Sequence, residues 1–154
     1  MREGIRLGID VGQTRVGVAR SDPQATMAVP VATVARATAL REIADLLEEY
    51  QPLEVVVGLP INLQGERTAS TEDAEAFARE IAALGPVPVR MVDERLSTVS
   101  AISALHSAGR PSRSHRLVVD QVAAVILLQH TLDVERSQGV PGGYVLDHPE
   151  THDE

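Results

Sequence analysis

Asp10 is an acidic residue at a position where the surrounding pattern favours an apolar one. It lies within residues 7–19, where two runs rich in Val and Ile flank a Gly-containing turn and predict a β-hairpin. An ionised carboxylate buried in a strand is strongly unfavourable unless it is paired, hydrogen-bonded or bound to a metal. One explanation is an Asp that accepts backbone hydrogen bonds from the turn around Gly12. The other is a functional site, which would require further carboxylates at the same place.

A second carboxylate follows the last strand predicted in the chain. Residues 87–92 alternate as a strand and continue directly into Asp93 and Glu94. Ligands of open α/β sheets bind outside the carboxyl ends of strands, so either acid is well placed for a site. A surface turn in which one of these acids pairs with Arg95 explains the pattern equally well.

The third carboxylate, Asp120, is placed by helical geometry. A long helix is predicted from about Ser114 to about Arg136. At about 100° per residue, Asp120 points in the same direction as four residues that form the core-facing side of this helix: Ala123, Ala124, Leu127 and Thr131. An acid near a helix start can be a cap or can be stabilised by the helix dipole. Metal coordination is the alternative.

Three converging carboxylates predict a site for a divalent cation. Cys is absent from the chain, and the three acidic segments contain no His, so the ligands would all be oxygen atoms. Such a set suits Mg²⁺ or Mn²⁺ and suits Zn²⁺ poorly. Two such ions about 3.5–4 Å apart can activate a water molecule and stabilise the leaving oxygen of a phosphodiester. The residues therefore predict metal-dependent hydrolysis of a nucleic-acid strand.

Basic residues precede Asp120 along the chain: Arg110, Arg113, His115 and Arg116. Beside a carboxylate site, these side chains would hold the phosphates of the substrate. A solvated basic loop explains them equally well. Arg15 and Arg95, which lie next to the first and second acidic segments, are further candidates for binding the substrate.

Composition limits the class of protein. The chain has 154 residues, which suits one domain, and no Cys, which excludes disulfides and thiolate metal sites. A formal net charge of -8 argues against a general nucleic-acid coat protein. No segment has the length of a membrane span or the pattern of a signal peptide. We therefore expect a cytoplasmic protein that has no membrane contact.

The apolar periodicity predicts a single α/β domain that positions these residues. Three strands come first and helices then alternate with strands, which favours a mixed sheet that begins antiparallel and continues parallel, with helices on both faces. Ser70 and Asp73 are predicted to form a capping box at the start of the second helix. Residues 1–138 form the domain, and the acidic residues 139–154 are predicted to be a flexible tail. The remaining predicted elements are a strand at 27–34, a helix at 38–50, a strand at 53–60 and a helix at 97–109.

Four motifs resemble those of the YqgF (RuvX) family in order and spacing, and together they span residues 7 to about 132. They are Gly8-Ile9-Asp10-Val11-Gly12 with Arg15-Val16-Gly17-Val18-Ala19, then Gly58-Leu59-Pro60 with Gly65, then Asp93-Glu94-Arg95-Leu96-Ser97-Thr98, and finally Asp120-Gln121-Val122-Ala123-Ala124 with Ile126-Leu127-Leu128-Gln129. The family often has Lys before the Arg of the first motif, where this chain has Thr14.

This resemblance implies a ribonuclease H-like fold with a five-stranded mixed sheet. It implies that Asp10, Glu94 and Asp120 are the catalytic and metal-binding acids. It also implies a nuclease that matures the 5′ end of the precursor of 16S ribosomal RNA. By analogy of fold, a Holliday junction resolvase acting on four-way DNA is the alternative substrate class.

Two other functions fit parts of the sequence. A non-catalytic assembly factor would bind ribosomal RNA through the Arg cluster and use the acids structurally. Residues 10–14 also resemble the first phosphate loop of actin-like and sugar-kinase ATPases, although those enzymes use two domains of this topology. The sequence leaves open whether the protein is a monomer or a homodimer.

Overall fold

A mixed β-sheet with helices on both faces forms the body of the protein. The computed structural model describes residues 1–96 and 113–146, and it describes the side chains of all of these except residues 96 and 113–120. The helix predicted at 97–109 and the candidate Arg110 lie outside the described residues.

The strands and helices follow the predicted order closely. Within the described part of the chain the strands are β1 (Arg6–Val11), β2 (Arg15–Ser21), β3 (Ala28–Ala35), β4 (Glu54–Leu59), β5 (Val89–Asp93) and β6 (Tyr144–Val145). The α-helices are α1 (Ala39–Tyr50), α2 (Ala69–Ala82) and α3 (Arg113–Gln138), and short 3-10 turns cover Arg36–Thr38 and Glu94–Leu96.

The sheet has the order β3-β2-β1-β4-β5-β6. β1 pairs antiparallel with β2, and β2 with β3, whereas β1–β4 and β4–β5 are parallel. The predicted mixed α/β sheet is therefore confirmed. Parallel pairing matters for the site because it brings the carboxyl ends of β1, β4 and β5 to one edge of the sheet.

The prediction of five strands was one strand short, because residues assigned to the acidic tail pair with the sheet. Tyr144 and Val145 form β6 antiparallel to β5. The next residue, Leu146, donates its N–H to the Val89 carbonyl at 2.8 Å and is buried. Gly143, with φ of +70°, makes the turn and lies so close to Met91 that a side chain would collide with its carbonyl. The residues that follow Gly143 thus form a strand. A flexible tail stays a prediction for residues 147–154.

Two separate apolar cores cover the two faces of the sheet. Leu7 and Ile9 of β1 pack in the core that contains Ile43 of α1 and Phe77 of α2. Alternate residues point to the opposite face, where α3 contributes Leu127 to the second core. Gly8 and Asp10 therefore share the face that α3 covers. The four α3 residues that were predicted to face the core, namely Ala123, Ala124, Leu127 and Thr131, are all buried.

Helix α2 begins two residues earlier than predicted, with Thr68 rather than Ser70 as its N-cap. The Thr68 N–H donates to the Thr71 hydroxyl at 2.9 Å, and these two residues form the capping box. The buried Thr71 hydroxyl also donates to the Pro60 carbonyl, which ties the start of α2 to the end of β4. The prediction of a Ser70–Asp73 box was wrong because this tertiary contact selects Thr71.

A buried ionic network closes the edge of the sheet opposite the carboxyl ends. Arg6 and Glu135 are almost fully buried and pair at 3.1 Å, and Arg2 reaches the Glu135 carboxylate at 2.8 Å. Glu54, also buried, accepts from Arg2 at 2.9 Å and from Arg90 at 3.2 Å. The network joins the amino-terminal segment, three parallel strands and the end of α3.

Adding one methyl group at Gly8 is expected to push α3 away from the sheet. A Cβ there would lie 2.8 Å from the Leu128 Cβ and 3.3 Å from the Ala124 carbonyl oxygen. Because backbone and a Cβ atom cannot move aside cheaply, Gly8→Ala should lower the free energy of unfolding by about 1–3 kcal/mol. Urea denaturation measures this change. Gly85→Ala is the matched control, since no heavy atom lies within 4 Å of its added Cβ, and equal losses in both variants would contradict this account.

Removing the charge of Glu135 should leave Arg6 buried without its carboxylate partner. Glu135→Gln is expected to lower the free energy of unfolding at pH 7 by about 3–5 kcal/mol. The hydrogen bond from Arg2 holds the pKa of Glu135 down at about 2. In the unfolded chain the pKa of a Glu side chain is near 4.3. The stabilisation that ionised Glu135 contributes is therefore complete above roughly pH 4.5 and is lost as the pH falls toward about 2.

Urea denaturation of both proteins at pH 7 and pH 2.5 tests this expectation. The difference in the free energy of unfolding between the wild type and Glu135→Gln should be smaller at the lower pH. Asp133→Asn breaks an exposed ion pair with Arg136 on the same helix and should change stability by less than about 1 kcal/mol. A difference between wild type and Glu135→Gln that does not depend on pH would argue against the network as the cause.

Candidate active site

Asp10 and Glu94 meet above Gly58 at the carboxyl edge of the parallel strands. Asp10 lies one residue beyond the Ile9–Val57 pair of β1 and β4, and Glu94 directly follows β5. β4 lies between the two strands, which are therefore separated by about 10 Å. The missing side chain of Gly58 leaves the space that Glu94 uses, because a Cβ there would lie 3.0 Å from Glu94 Oε1 and 3.2 Å from its Cγ.

The environment of Glu94 strongly favours its protonated form. Burial is the largest cause, and repulsion by and hydrogen bonding to Asp10 add to it, raising the pKa of Glu94 to about 8. The negative charge of Asp93 acts in the same direction. Two carboxylates at such close range hold a proton between them at neutral pH unless a cation neutralises them. Full ionisation of both groups is therefore unfavourable in this environment.

The structure separates the roles of the two neighbouring acids Asp93 and Glu94. The Arg95 guanidinium binds the Asp93 carboxylate at 2.7 Å, and this hydrogen bond is the main reason that the pKa of Asp93 is lowered. Glu94 points instead toward Asp10. Of the two alternatives that the sequence left open, Glu94 is the one that joins Asp10, and Arg95 forms the surface ion pair with Asp93.

The other predicted site residues are described less completely. Asp120, Arg113 and Arg116 belong to α3, but their side chains lie outside those that the structure describes. Arg15 begins β2, and its carbonyl oxygen accepts a hydrogen bond from the Gly12 N–H at 2.9 Å. Among the described side chains, no group of three or more His, Cys, Asp or Glu residues could hold a metal ion.

Two features of the site were not assigned by sequence reasoning. Gly58 was part of a motif, yet nothing in the sequence indicated that its lack of a side chain makes room for Glu94. Arg36 donates to the carbonyl oxygen of Gly12, at the turn that follows Asp10. No local pattern marked Arg36, because its importance comes from contacts distant in sequence.

The mixed sheet with a carboxylate pair at its carboxyl edge defines an α/β protein of the ribonuclease H-like class. RuvC from Thermus thermophilus in complex with a Holliday junction substrate superposes with a TM-score of 0.53, covering 92% of this chain and 99% of that chain. At 16% identity, this likeness shows the fold alone. The predicted ribonuclease H-like fold is confirmed.

The chain belongs to the RuvX family, whose model is described as "Holliday junction resolvase" and matches residues 4–134. The predicted family is thus confirmed. A relative from Clavibacter michiganensis is 54% identical over 95% of this chain and 93% of its own length, and it is named "Putative pre-16S rRNA nuclease". Relatives from Leifsonia xyli and a Nocardioides strain carry the same name, at 52% and 47% identity over 96% of this chain and 97% and 99% of theirs.

In the part of the chain that the structure describes, no helix has the length and apolar character needed to cross a membrane.

A methyl group at Gly58 is expected to displace the Glu94 carboxylate. The added Cβ would also lie 3.3 Å from Leu127 Cδ2, so the side chains on both sides must shift by a few tenths of an ångström. Because small misplacements of reacting groups are costly, Gly58→Ala should lower kcat of any reaction at this site by about 10- to 100-fold. Gly142→Ala is the control, since its added Cβ would lie 3.6 Å from Val134 in ordinary contact. Unchanged kcat in a folded Gly58→Ala variant would contradict this role.

Proposed function

We propose that this protein is a metal-dependent nuclease that hydrolyses phosphodiester bonds in the precursor of 16S ribosomal RNA. The observation that carries the proposal is the Asp10–Glu94 pair, held over Gly58 at the carboxyl edge of the sheet. Relatives named for pre-16S rRNA match nearly the whole chain. Such a nuclease would act in the cytoplasm, with nucleic acid as its partner, as a monomer or a homodimer.

Asp120 is proposed as the third carboxylate of the site. Helix α3 runs from the site edge toward the ionic network, because Glu135 near its end pairs with Arg6 at the start of β1. Ala124 lies against Gly8, and Asp120 precedes Ala124 by one turn, about 6 Å. Asp10 lies two residues beyond Gly8 in the same direction, about 7 Å. These matching distances support a place for Asp120 near Asp10.

The donor set fits a hard divalent cation. Asp10 and Glu94 offer carboxylate oxygens that repel each other and share a proton, and a cation in place of that proton would relieve the repulsion. With Asp120, these residues would hold Mg²⁺ or Mn²⁺. When bound, one or two such ions would supply an activated water and stabilise the leaving oxygen.

Basic residues that are close in sequence to the acidic site residues are proposed to bind the phosphates of the substrate. Arg95 lies next to Glu94, and its guanidinium is held by Asp93 with over a third of the side chain exposed. Arg15 lies across the turn from Asp10. We include three residues before Asp120 in this set: Arg110, Arg113 and Arg116. The overall charge of -8 makes such a local basic surface necessary for binding RNA.

Cleavage of four-way DNA is the second candidate function. The family model carries the description "Holliday junction resolvase". Both substrates present phosphodiesters to the same carboxylates, so the site chemistry is shared. The names of the most similar relatives favour RNA.

A cleavage assay that offers both substrates tests the proposal. Wild-type protein with Mg²⁺ or Mn²⁺ should cut an end-labelled RNA spanning the 5′ end of 16S rRNA and should cut a four-way DNA junction less efficiently. Asp10→Asn, Glu94→Gln and Asp120→Asn should each lower the cleavage rate by at least about 100-fold. Loss of a residue that only hydrogen-bonds to a metal ligand already costs about 10- to 100-fold in activity, and these three residues are proposed as the ligands themselves. RNA binding, measured separately, should remain.

Asp133→Asn is the matched control, since it removes one carboxylate from the exposed side of α3. This variant should cleave at the wild-type rate. Preferred cutting of the junction would support the resolvase alternative. RNA binding without cleavage by the wild type would support the non-catalytic assembly factor and would end the nuclease proposal.

A further inference from the structure

The turn that follows Asp10 is held by a residue from outside the β1–β2 hairpin. Within the hairpin, the Gly12 N–H donates to the Arg15 carbonyl at 2.9 Å. From beyond β3, the backbone N–H of Arg36 donates to the Thr14 carbonyl at 2.8 Å, and its Nη1 donates to the Gly12 carbonyl at 2.9 Å. Arg36 is therefore hydrogen-bonded to this turn at both Gly12 and Thr14.

The Arg36 guanidinium is itself fixed by helix α2. Nη1 and Nη2 each donate to the Asp73 carboxylate at 3.0 Å, in the two-point geometry that only a guanidinium provides. The guanidinium carbon lies 4.6 Å from the centre of the Phe77 ring, which is buried in the core. The Gly12 carbonyl in the turn and Asp73 and Phe77 on α2 thus hold this side chain in one orientation.

Rigidity of this turn bears directly on Asp10. Asp10 precedes Gly12 by two residues and is close to the end of β1, where strand pairing gives way to the turn. Its carboxyl group is hydrogen-bonded to that of Glu94, so the position of the Asp10 backbone sets the geometry of the pair. A shift of the turn would carry the Asp10 backbone with it, and the contacts that Arg36 makes with Gly12 and Thr14 oppose such a shift.

We propose that Arg36 is a positioning residue, which acts with Asp73 and Phe77 through the Gly12 turn to set Asp10 opposite Glu94. The inference rests on the proposed function, because it concerns the same carboxylate site. It adds residues on the opposite face of the sheet from α3 to the support of that site. Arg36 acts through the Gly12 carbonyl and is not assigned to the substrate.

The test compares Arg36→Met with Arg136→Met. Arg136 is a close match, since it also donates to a turn carbonyl, that of Ala25, at 2.6 Å and pairs with Asp133 at 3.1 Å. Its turn joins β2 to β3 at the other edge of the sheet. Calorimetric titration with Mn²⁺ and the amide signals of Asp10 and Gly12 in ¹H–¹⁵N NMR spectra report on the site without requiring cleavage.

Arg36→Met should weaken Mn²⁺ binding about tenfold and shift both amide signals, whereas Arg136→Met should change neither. In the cleavage assay, Arg36→Met should lower kcat about tenfold or more and leave KM within about twofold, as expected for a misplaced reacting group. Wild-type Mn²⁺ affinity and unshifted Asp10 and Gly12 signals in folded Arg36→Met would overturn the inference.

Arg36→Lys provides the same test of the inference if Arg36→Met does not fold. A single ammonium group can reach the Gly12 carbonyl or Asp73, but it cannot reproduce the fork that joins them. This variant should therefore show the same shifts to a smaller extent, and its wild-type behaviour would equally overturn the inference. Failure of the wild type to cleave RNA or DNA would count against the proposed function, whereas the NMR comparison judges Arg36 independently.

Discussion

Two carboxylates that repel each other lie side by side over a residue that has no side chain. This constraint governs much of the structure, because Asp10 and Glu94 come from strands that are not neighbours. They meet because β4 lies between them in parallel register and because Gly58 leaves room for the Glu94 side chain. The result is a buried pair in which the pKa of Glu94 is raised to about 8. Such a pair is unfavourable in isolation and well suited to a cation.

The rest of the fold holds this pair in place from several directions. Helix α3 packs directly on the backbone of β1 at Gly8, where an added Cβ would lie only 2.8 Å from the Leu128 Cβ. The far end of α3 is fixed by the buried Arg6–Glu135 pair, so the helix is anchored at the edge opposite the site. On the other face, α2 reaches the turn after Asp10 through Arg36. Packing on one face, ionic contacts at the opposite edge and the Arg36 contacts on the other face thus all support the strands that carry the pair.

Local signals predicted the elements well and the contacts between them less well. Apolar periodicity located β1 to β5, α1, α2 and α3 to within a few residues. The capping box of α2 was misplaced because the Thr71 hydroxyl bonds to Pro60, a contact that no local pattern contains. The same shift leaves Asp73 to pair with Arg36. Glycines after α3 indicated a break in structure, yet Gly143 turns the chain back into a sixth strand.

The amino-acid sequence by itself determined the family, the order of strands and helices, and the acidic residues that merit attention, because these follow from motif spacing and from period-2 and period-3.6 patterns. The strand pattern could not choose between Asp93 and Glu94, since both lie at the end of the same strand, and only the family resemblance singled out Glu94. Tertiary structure made that choice, because one acid pairs with Arg95 and the other turns across Gly58 toward Asp10. Proximity between residues distant in sequence depends on strand register and helix packing, and these are decided only when the whole sheet assembles.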